Sequence, residues 1–339
     1  MDLLPELCGL MIDFLSIDDL TEFRVVSKEP RELVKRYEGD KTGMVYPKTL
    51  TGLFESFPLI RSLDTSHCDI KVTDFQKFGR LEELNVSIKS LESEDIFRSC
   101  PRLKSLYLIS DRYIPKIDLN LMFQGLTRLK TLHLVQLVQV TDHALLYLPL
   151  LEELMLWEKS GITGTGLQSL KRLKRLSIET HIDSEASLIQ DDALIGLPLI
   201  QLHLVNNKVL TDQGICHLTQ LKRLFCVKCP LIQGDGFAAL PKLQTIGFGE
   251  SFLPDVSYFS NSKILTFREC QIQGNLKCTW KNLEKLRIHD STLRYPQSIQ
   301  LMTAPKLKQL RYEKCWQLKE EVLRKTFGNR VQFILKGNP

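Results

Sequence analysis

The chain has 339 residues, of which 43% are hydrophobic, and its 45 basic and 40 acidic side chains leave a formal net charge of +5. A balance so close to neutral does not favour nucleic acid as a partner. Its nine cysteines are odd in number and too few for a disulfide scaffold, so we expect reduced thiols in a cytoplasmic or nuclear protein.

The opening sequence, MDLLPELCGLMIDFL, is apolar but carries Asp2, Glu6 and Asp13 and no basic residue. A secretory signal peptide has a positive start and an uninterrupted apolar stretch, so none is expected here. No apolar run approaches the roughly 20 residues needed to cross a bilayer. We therefore expect no membrane contact.

Residues 1–37 predict a module of three short helices. Apolar residues at helical spacing define the first helix: Leu7, Leu10, Met11, Phe14 and Leu15. Asp18 is placed to cap the second helix, and Pro30 is suited to open the third. We expect residues 38–58 to form a linker or an incomplete first repeat.

The module resembles an F-box in several successive motifs. These are Leu4-Pro5-Glu6-Leu7, Phe14-Leu15-Ser16, Asp19-Leu20 and Arg24-Val25-Val26-Ser27-Lys28. Pro30 departs from the pattern, because many F-boxes carry a Trp there. The resemblance implies docking on a Skp-type adaptor of a cullin ubiquitin ligase through Leu4, Pro5, Leu7, Ile12, Leu15, Leu20 and Val25. An alternative is that these helices only cap the repeats that follow.

From residue 59 to residue 339 the motif LxxLxL recurs. Clear copies begin at Leu81, Leu103, Leu129, Leu151, Leu173, Leu199, Leu221, Leu243, Leu283 and Leu307, and weaker ones at Ile60 and around Leu265. There are about twelve units with starts roughly 19 to 26 residues apart, and this pattern is that of leucine-rich repeats. The last residues are expected to cap the array.

Each unit predicts a short strand followed by a helical segment. The alternation in LxL turns one face of a strand inward, and stacked units align these strands as a parallel sheet. Thr or Asp before the helical segments, as in Thr141-Asp142 and Thr211-Asp212, can cap their N–H groups. The fold class is therefore an α/β leucine-rich-repeat solenoid, with a curved parallel sheet on its concave side and short helices on its convex side.

The ninth position of several units carries a distinctive residue. Cys68, Cys229, Cys270 and Cys315 stand there, and Asn207 takes the same place. This resembles the cysteine-containing repeats of F-box/leucine-rich-repeat proteins, which implies that the side chain bonds the turn backbone inside the coil. Cys226 and Cys229 form a CxxC, but both occupy inward-facing positions, and no second pair has zinc-ligand spacing. No metal and no cofactor are expected.

Outward-facing positions of the sheet are candidates for partner binding. At the fifth and seventh positions the sequence places Tyr107, His133, Met155, Trp157, His203 and Phe225. Apolar and aromatic side chains on a surface that should face water commonly mark a binding site. Alternatively, a loop or the C-terminal tail covers them, or they lie along the sheet and bury one another.

Further along, the same positions become basic. Arg268, Arg287 and Arg311 stand there with Lys285 and His289, so an acidic or phosphorylated target is one prediction. A solvated charged face is the alternative.

We find no motif for catalysis, and we expect no Ser or Cys nucleophile beside His133 or His203. The chain is therefore expected not to be an enzyme. The F-box/leucine-rich-repeat resemblance implies the substrate-recognition subunit of an SCF-type ubiquitin ligase. Two alternatives stay open: a leucine-rich-repeat scaffold or inhibitor that recruits no ligase, and a pathogen protein that borrows the ligase of its host.

Overall fold

A computed structural model describes residues 60–66, 76–90, 93–110, 117–180, 189–237, 240–274, 279–315 and 317–335. The F-box-like module (1–37) and the linker (38–58) lie outside the described residues, and so do Cys68 and the predicted adaptor-binding side chains Leu4, Pro5, Leu7, Ile12, Leu15, Leu20 and Val25. The chain divides into two compact units, Met1–Leu151 and Glu152–Pro339.

In the first unit, four parallel strands lie side by side in chain order. They are β1 (Ser62–Asp64), β2 (Glu83–Ser87), β3 (Ser105–Ile109) and β4 (Thr131–Thr141). The fourth-position leucines of β2, β3 and β4 are in register, so Leu84, Leu106 and Leu132 stack and are fully buried. The other side of the unit carries single turns: 3-10 helices at Ile88–Ser90, Ile96–Ser99 and Leu121–Gly125, and the short helix α1 (Asp142–Leu145).

The second unit contains a longer parallel sheet of the same kind. Its strands are β5 (Glu153–Gly161), β6 (Arg175–Glu179), β7 (Gln201–Val205), β8 (Arg223–Val227), β9 (Thr245–Gly249), β11 (Ile264–Arg268), β13 (Lys285–His289), β15 (Gln309–Glu313) and β16 (Gln332–Leu335). A second, smaller sheet joins β10 (Phe252–Leu253), β12 (Gln271–Ile272) and β14 (Thr292–Leu293), also in parallel. We call it the side sheet.

Helical segments of the second unit are mostly single turns. The 3-10 helices are Leu167–Ser169, Asp191–Leu194, Ser257–Phe259, Pro296–Leu301 and Gly328–Arg330, and the α-helices are α2 (Asp212–Cys216) and α3 (Glu320–Phe327). A coil this short leaves few residues after its strand, and the tight 3-10 turn suits such short pieces. Helix α3 buries Leu323 and Phe327 and contacts the 3-10 turn Pro296–Leu301.

The core confirms the register of the repeat. In the coil that begins at Leu199, the residues at positions one, four and six are Leu199, Leu202 and Leu204, and all three are 0% exposed. The weak copy around Leu265 fits as well, because Ser262 takes the first position and is itself buried. A shift of one residue would turn every leucine of a strand outward. The chain therefore has the leucine-rich-repeat fold.

A residue in the left-handed conformation stands at the eighth position of many coils, just after the strand except in β4 and β5, whose strands continue past it. The eighth position has a positive φ at Gln136, Glu158, Asn206, Lys228, Glu250, Glu269, Asp290 and Lys314, with values of 46 to 64°. Non-glycine residues rarely adopt this conformation. The residue that follows is buried in most of these coils, and where it is Cys or Asn its inward hydrogen bonds can offset the backbone strain.

The side chain at the ninth position makes the hydrogen bonds to backbone inside the coil that the cysteine-containing repeat resemblance implies. The Sγ of Cys229 donates to the carbonyl oxygen of Val227 at 3.3 Å and to that of Leu204 at 3.6 Å. The side-chain oxygen of Asn207 accepts from the backbone N–H of Leu210 at 2.8 Å. Cys270 and Cys315 donate to carbonyl oxygens in the same way.

The Thr-Asp motifs join neighbouring coils more than they cap helices. Thr211 does accept from the backbone N–H of Gln213 at 3.2 Å, but Thr141 makes no side-chain cap. The carboxylate of Asp191 accepts from the N–H of Thr211 at 2.8 Å, and that of Asp212 accepts from the N–H of Gly234 at 2.9 Å. The carboxylates thus satisfy backbone donors in the next coil, a role that the cap prediction missed.

None of the helices among the described residues has both the length and the apolar character needed to span a bilayer.

Candidate binding surface

On the first unit, Tyr107 and His133 lie side by side on β3 and β4. Their ring centroids are 4.2 Å apart, and the ring planes meet at 62°. Beside them, Ile109 pairs with Val135, and all four side chains are half-buried. The two predicted residues are therefore on the outward side of the sheet, where they cover each other edge to face.

On the second unit, β5 presents Met155 and Trp157 outward. Trp157 is 48% exposed, whereas Met155 is half-buried. The next strand places Ser177 opposite Met155 and Glu179 opposite Trp157. A large indole with nearly half of its surface in solvent is therefore flanked by polar groups.

His203 joins Ser177 and Glu179 in one polar cluster. Its Nδ1 lies 3.4 Å from Oε1 of Glu179 and 3.3 Å from Oγ of Ser177, and the Ser177 hydroxyl donates to the same Glu179 oxygen at 3.2 Å. The hydrogen bond with His203 lowers the pKa of the Glu179 carboxyl. A serine therefore does lie beside His203, although the expectation from the sequence was that no Ser or Cys nucleophile would stand there.

This cluster does not have the geometry of a nucleophile and its base. Ser177 and Glu179 both contact the same ring nitrogen of His203, whereas a catalytic triad uses one ring nitrogen for the serine and the other for the carboxylate. Because the hydroxyl of Ser177 donates its proton to Glu179, the Nδ1 of His203 can only donate to the Ser177 oxygen. The contacts fix the orientation of the His203 ring on the open sheet face.

Phe225 lies down along the sheet rather than standing away from it. A Cβ added to Gly247 on the next strand would come within 2.7 Å of Cδ1 of Phe225, and one added to Gly249 within 3.0 Å of Val227. The rings of Phe225 and His203 make a T-shaped contact with centroids 6.1 Å apart. Glycines on β9 therefore make room for side chains from β8. We call Met155, Trp157, His203 and Phe225 the apolar stretch.

The predicted basic residues occupy the outward side of β11, β13 and β15, and we call Arg268, Lys285, Arg287, His289 and Arg311 the basic stretch. Arg287 lies directly opposite Arg311 on the neighbouring strand. Glu313 partly neutralises this surface, because its Oε2 is 3.4 Å from Arg311 and 3.2 Å from His289.

Two of the arginines differ in their surroundings. The Nε of Arg268 lies 3.1 Å from a carboxylate oxygen of Glu269. Arg287 is exposed and makes no ion pair with any residue that the structure describes. The sequence predicts that both arginines lie on the outward face. It does not predict their ion pairs, because these depend on side-chain positions at the turn and on the neighbouring strand.

The cysteines of the described coils lie inside or half-inside them. Burial raises the pKa of the Cys100 thiol to about 12, and it also raises the pKa of Cys226. A hydrogen bond with Cys226 lowers the pKa of Cys229, which is itself buried. Within the described ranges, no group of three or more His, Cys, Asp or Glu side chains is placed to hold a metal ion.

Comparison with known proteins places the fold among leucine-rich-repeat proteins. No family model matches the chain. CD180 antigen of Mus musculus is 32% identical over 189 residues, which make up 52% of this chain but only 28% of that protein.

Solved structures give the same result at low sequence identity. An internalin of Listeria monocytogenes superposes with a TM-score of 0.61 at 16% identity, covering 96% of each chain. The Toll–Spätzle complex of Drosophila matches with a TM-score of 0.56 at 14% identity, over 90% of this chain and 53% of that one. These likenesses show a shared fold.

Proposed function

We propose that this leucine-rich-repeat protein recognises a protein partner through the outward side of its sheet, and that residues 1–37 deliver this partner to a Skp-type adaptor of a cullin ubiquitin ligase. The observation that carries the first half is Trp157, 48% exposed beside Met155 on the open side of a sheet. Trp is the side chain most often found to anchor protein interfaces.

Several features of the second unit support a protein as the partner. The apolar stretch gives hydrophobic area, and Glu179 and His203 give polar contacts of fixed orientation at its border. An apolar centre with a polar rim is the common arrangement of protein interfaces. The same fold holds a protein ligand in the Toll–Spätzle complex.

The basic stretch supports an acidic or phosphorylated target. Arg287 and Arg311 lie directly opposite each other, and like charges at such positions repel. An anionic group from a partner would relieve this repulsion and accept hydrogen bonds from both guanidinium groups.

The ligase half rests on the F-box resemblance of residues 1–37. In this scheme the chain performs no chemistry of its own and needs no cofactor. It raises the local concentration of the target near the conjugating enzyme, which accelerates transfer by proximity. The setting would be the cytoplasm or the nucleus, where such ligases act on reduced proteins.

The competing function is a leucine-rich-repeat scaffold or inhibitor whose N-terminal helices only cap the repeats. Both functions use the same outward surface for the target. They differ in whether Leu4 and Pro5 contact an adaptor or pack against the first coil.

A pull-down with the purified Skp-type adaptor separates the two. We expect the full chain to bind and the Leu4→Ala/Pro5→Ala double variant to lose most of that binding, because both side chains would be removed from the adaptor surface. The Trp157→Ala variant is the matched control and should bind the adaptor like the wild type. If the folded wild-type chain does not bind, the scaffold function stands instead.

A further inference from the structure

A cavity of about 560 Å³ opens at the edge of the second unit, between the left-handed turns and the side sheet. Lys208, Lys228 and Glu250 line it from the turns, Pro230 from the coil that starts at Leu221, and Phe252 from β10. Cavities of this size hold ligands of drug or short-peptide dimensions. The cavity is separate from the apolar and basic stretches of the main sheet.

One wall of the cavity is the unpaired edge of a β-strand. The N–H of Gln271 donates to the carbonyl of Ser251, and that of Gln273 donates to the carbonyl of Leu253, both at 2.9 Å. In a parallel pair, alternate residues face opposite neighbours, so the N–H and C=O of Phe252 point away from β12. Among the described residues, no backbone partner is recorded for the Phe252 N–H.

The preceding coil explains why this edge is open. Pro230 holds the tenth repeat position there, the position that Phe252 holds one coil later. The N–H at this position would face away from β10, as that of Phe252 faces away from β12, so it is the fixed φ of proline that disfavours a strand here. The side sheet stops at β10, and the cavity lies beside that edge.

Most charges around the cavity are already paired. Lys228 lies 2.9 Å from Glu250, and Arg268 lies 3.1 Å from Glu269. Lys208 is exposed and has no ion pair with any described residue. The groups left for a ligand are thus one cation and one backbone edge, both of which suit an anionic peptide.

Among mostly polar lining residues, Phe252 offers the cavity a large apolar side chain that is 50% exposed. Leu231, which follows the lining residue Pro230 in the chain, is 47% exposed. Exposed large apolar side chains beside a cavity favour a ligand that brings an apolar group of its own.

We propose that this cavity binds a short extended segment of a protein partner in which an apolar residue is followed by an acidic residue. The segment adds a strand to the open edge of β10, its apolar side chain packs on Phe252, and its carboxylate pairs with Lys208. This is a second contact site at the rim of the repeat, and it does not depend on the adaptor or on the face that carries Trp157.

The test is an NMR titration of the full-length, isotope-labelled chain with N-acetyl-Phe-Asp-amide. We expect saturable shifts of the Phe252 and Ser251 amides, and about tenfold weaker binding of N-acetyl-Phe-Asn-amide, which lacks the charge at nearly the same shape. Lys208→Gln should weaken binding of the Asp peptide by about the same factor. Lys222→Gln removes an exposed lysine elsewhere in the same unit and should change nothing.

Three outcomes would overturn the proposal. One is the absence of saturable shifts at Phe252 at millimolar peptide, and another is equal binding of the Asp and Asn peptides. The third is tighter binding of N-acetyl-phenylalanine than of the dipeptide, because the cavity would then capture a chain terminus. A failure of any kind leaves adaptor binding by residues 1–37 untouched, so the two proposals can fail separately.

Discussion

The strands β5 to β8 and the strands β11 to β15 of the second unit are alike inside and different outside. Both groups of strands bury leucine at the fourth repeat position, as Leu202 and Leu286 show. Outward, the earlier strands present Trp157 and Phe225, whereas the later ones present arginines such as Arg287. The inward positions must repeat because each coil packs only on its neighbours. The outward positions are free of that constraint, so the surface can change from apolar to basic within one sheet.

The side opposite the main sheet changes as well. Between β6 and β8 the coils carry short helical turns, at Asp191–Leu194 and Asp212–Cys216. The coils that contain β10 and β14 place a two-residue strand of the side sheet before their 3-10 turns, at Ser257–Phe259 and Pro296–Leu301. The later coils therefore add a strand without losing the helical turn.

The largest expected effect tests the shared interior. Leu202→Ala and Leu286→Ala should each lower the free energy of unfolding by about 2–5 kcal/mol, because each leaves a cavity in a fully packed coil. Urea unfolding measures this loss, with Gln201→Ala, at a half-exposed outward position, as the control. A loss below about 1 kcal/mol for Leu286→Ala alone would mean that the later coils pack more loosely than the earlier ones.

An intermediate effect tests the boundary between the two stretches. Gly247→Val should cost about 1–3 kcal/mol, because its side chain would collide with the Phe225 ring. A valine at the equivalent position of β11, Thr266→Val, should cost less, because threonine already fills nearly the same volume there. In a double-mutant cycle measured by urea unfolding, Phe225→Ala should recover most of the loss. If it does not, the ring and the glycine are not coupled, and Phe225 is free to stand away from the sheet.

The smallest effects on stability test the outward surfaces themselves. Trp157→Ala and Arg287→Gln should each change the free energy of unfolding by no more than about 0.5 kcal/mol, because neither side chain is buried. Their effects on the partner should differ. Trp157→Ala should abolish binding at any salt concentration, whereas Arg287→Gln should weaken it mainly at low salt. Surface plasmon resonance at two ionic strengths would measure partner binding by both variants. If the two variants showed the same salt dependence, the apolar and basic stretches would not differ in how they bind the partner.

Much of the fold was predictable because the leucine spacing reports burial directly. The buried positions of Leu199, Leu202 and Leu204 and the inward thiol of Cys229 follow from their repeat positions. The outward placement of Trp157 and Arg287 follows from the same count. Ser177 and His203 both hold the fifth position of successive coils and pair in register, so the same count places them side by side. What the count does not encode is the side-chain rotamers, and these decide that both groups also contact Glu179.

The sequence by itself determined the repeat, its register and which side chains leave the sheet, because these depend on periodicity along one strand. It also carried the F-box resemblance of residues 1–37, which only the adaptor experiment can turn into a function. Tertiary structure alone decided how the outward groups combine: the Phe225 ring over Gly247, the Glu313 carboxylate shared by Arg311 and His289, and the open edge of β10 beside Pro230. Each depends on stacking one coil against the next, and the distances between coils are set by packing rather than by order along the chain.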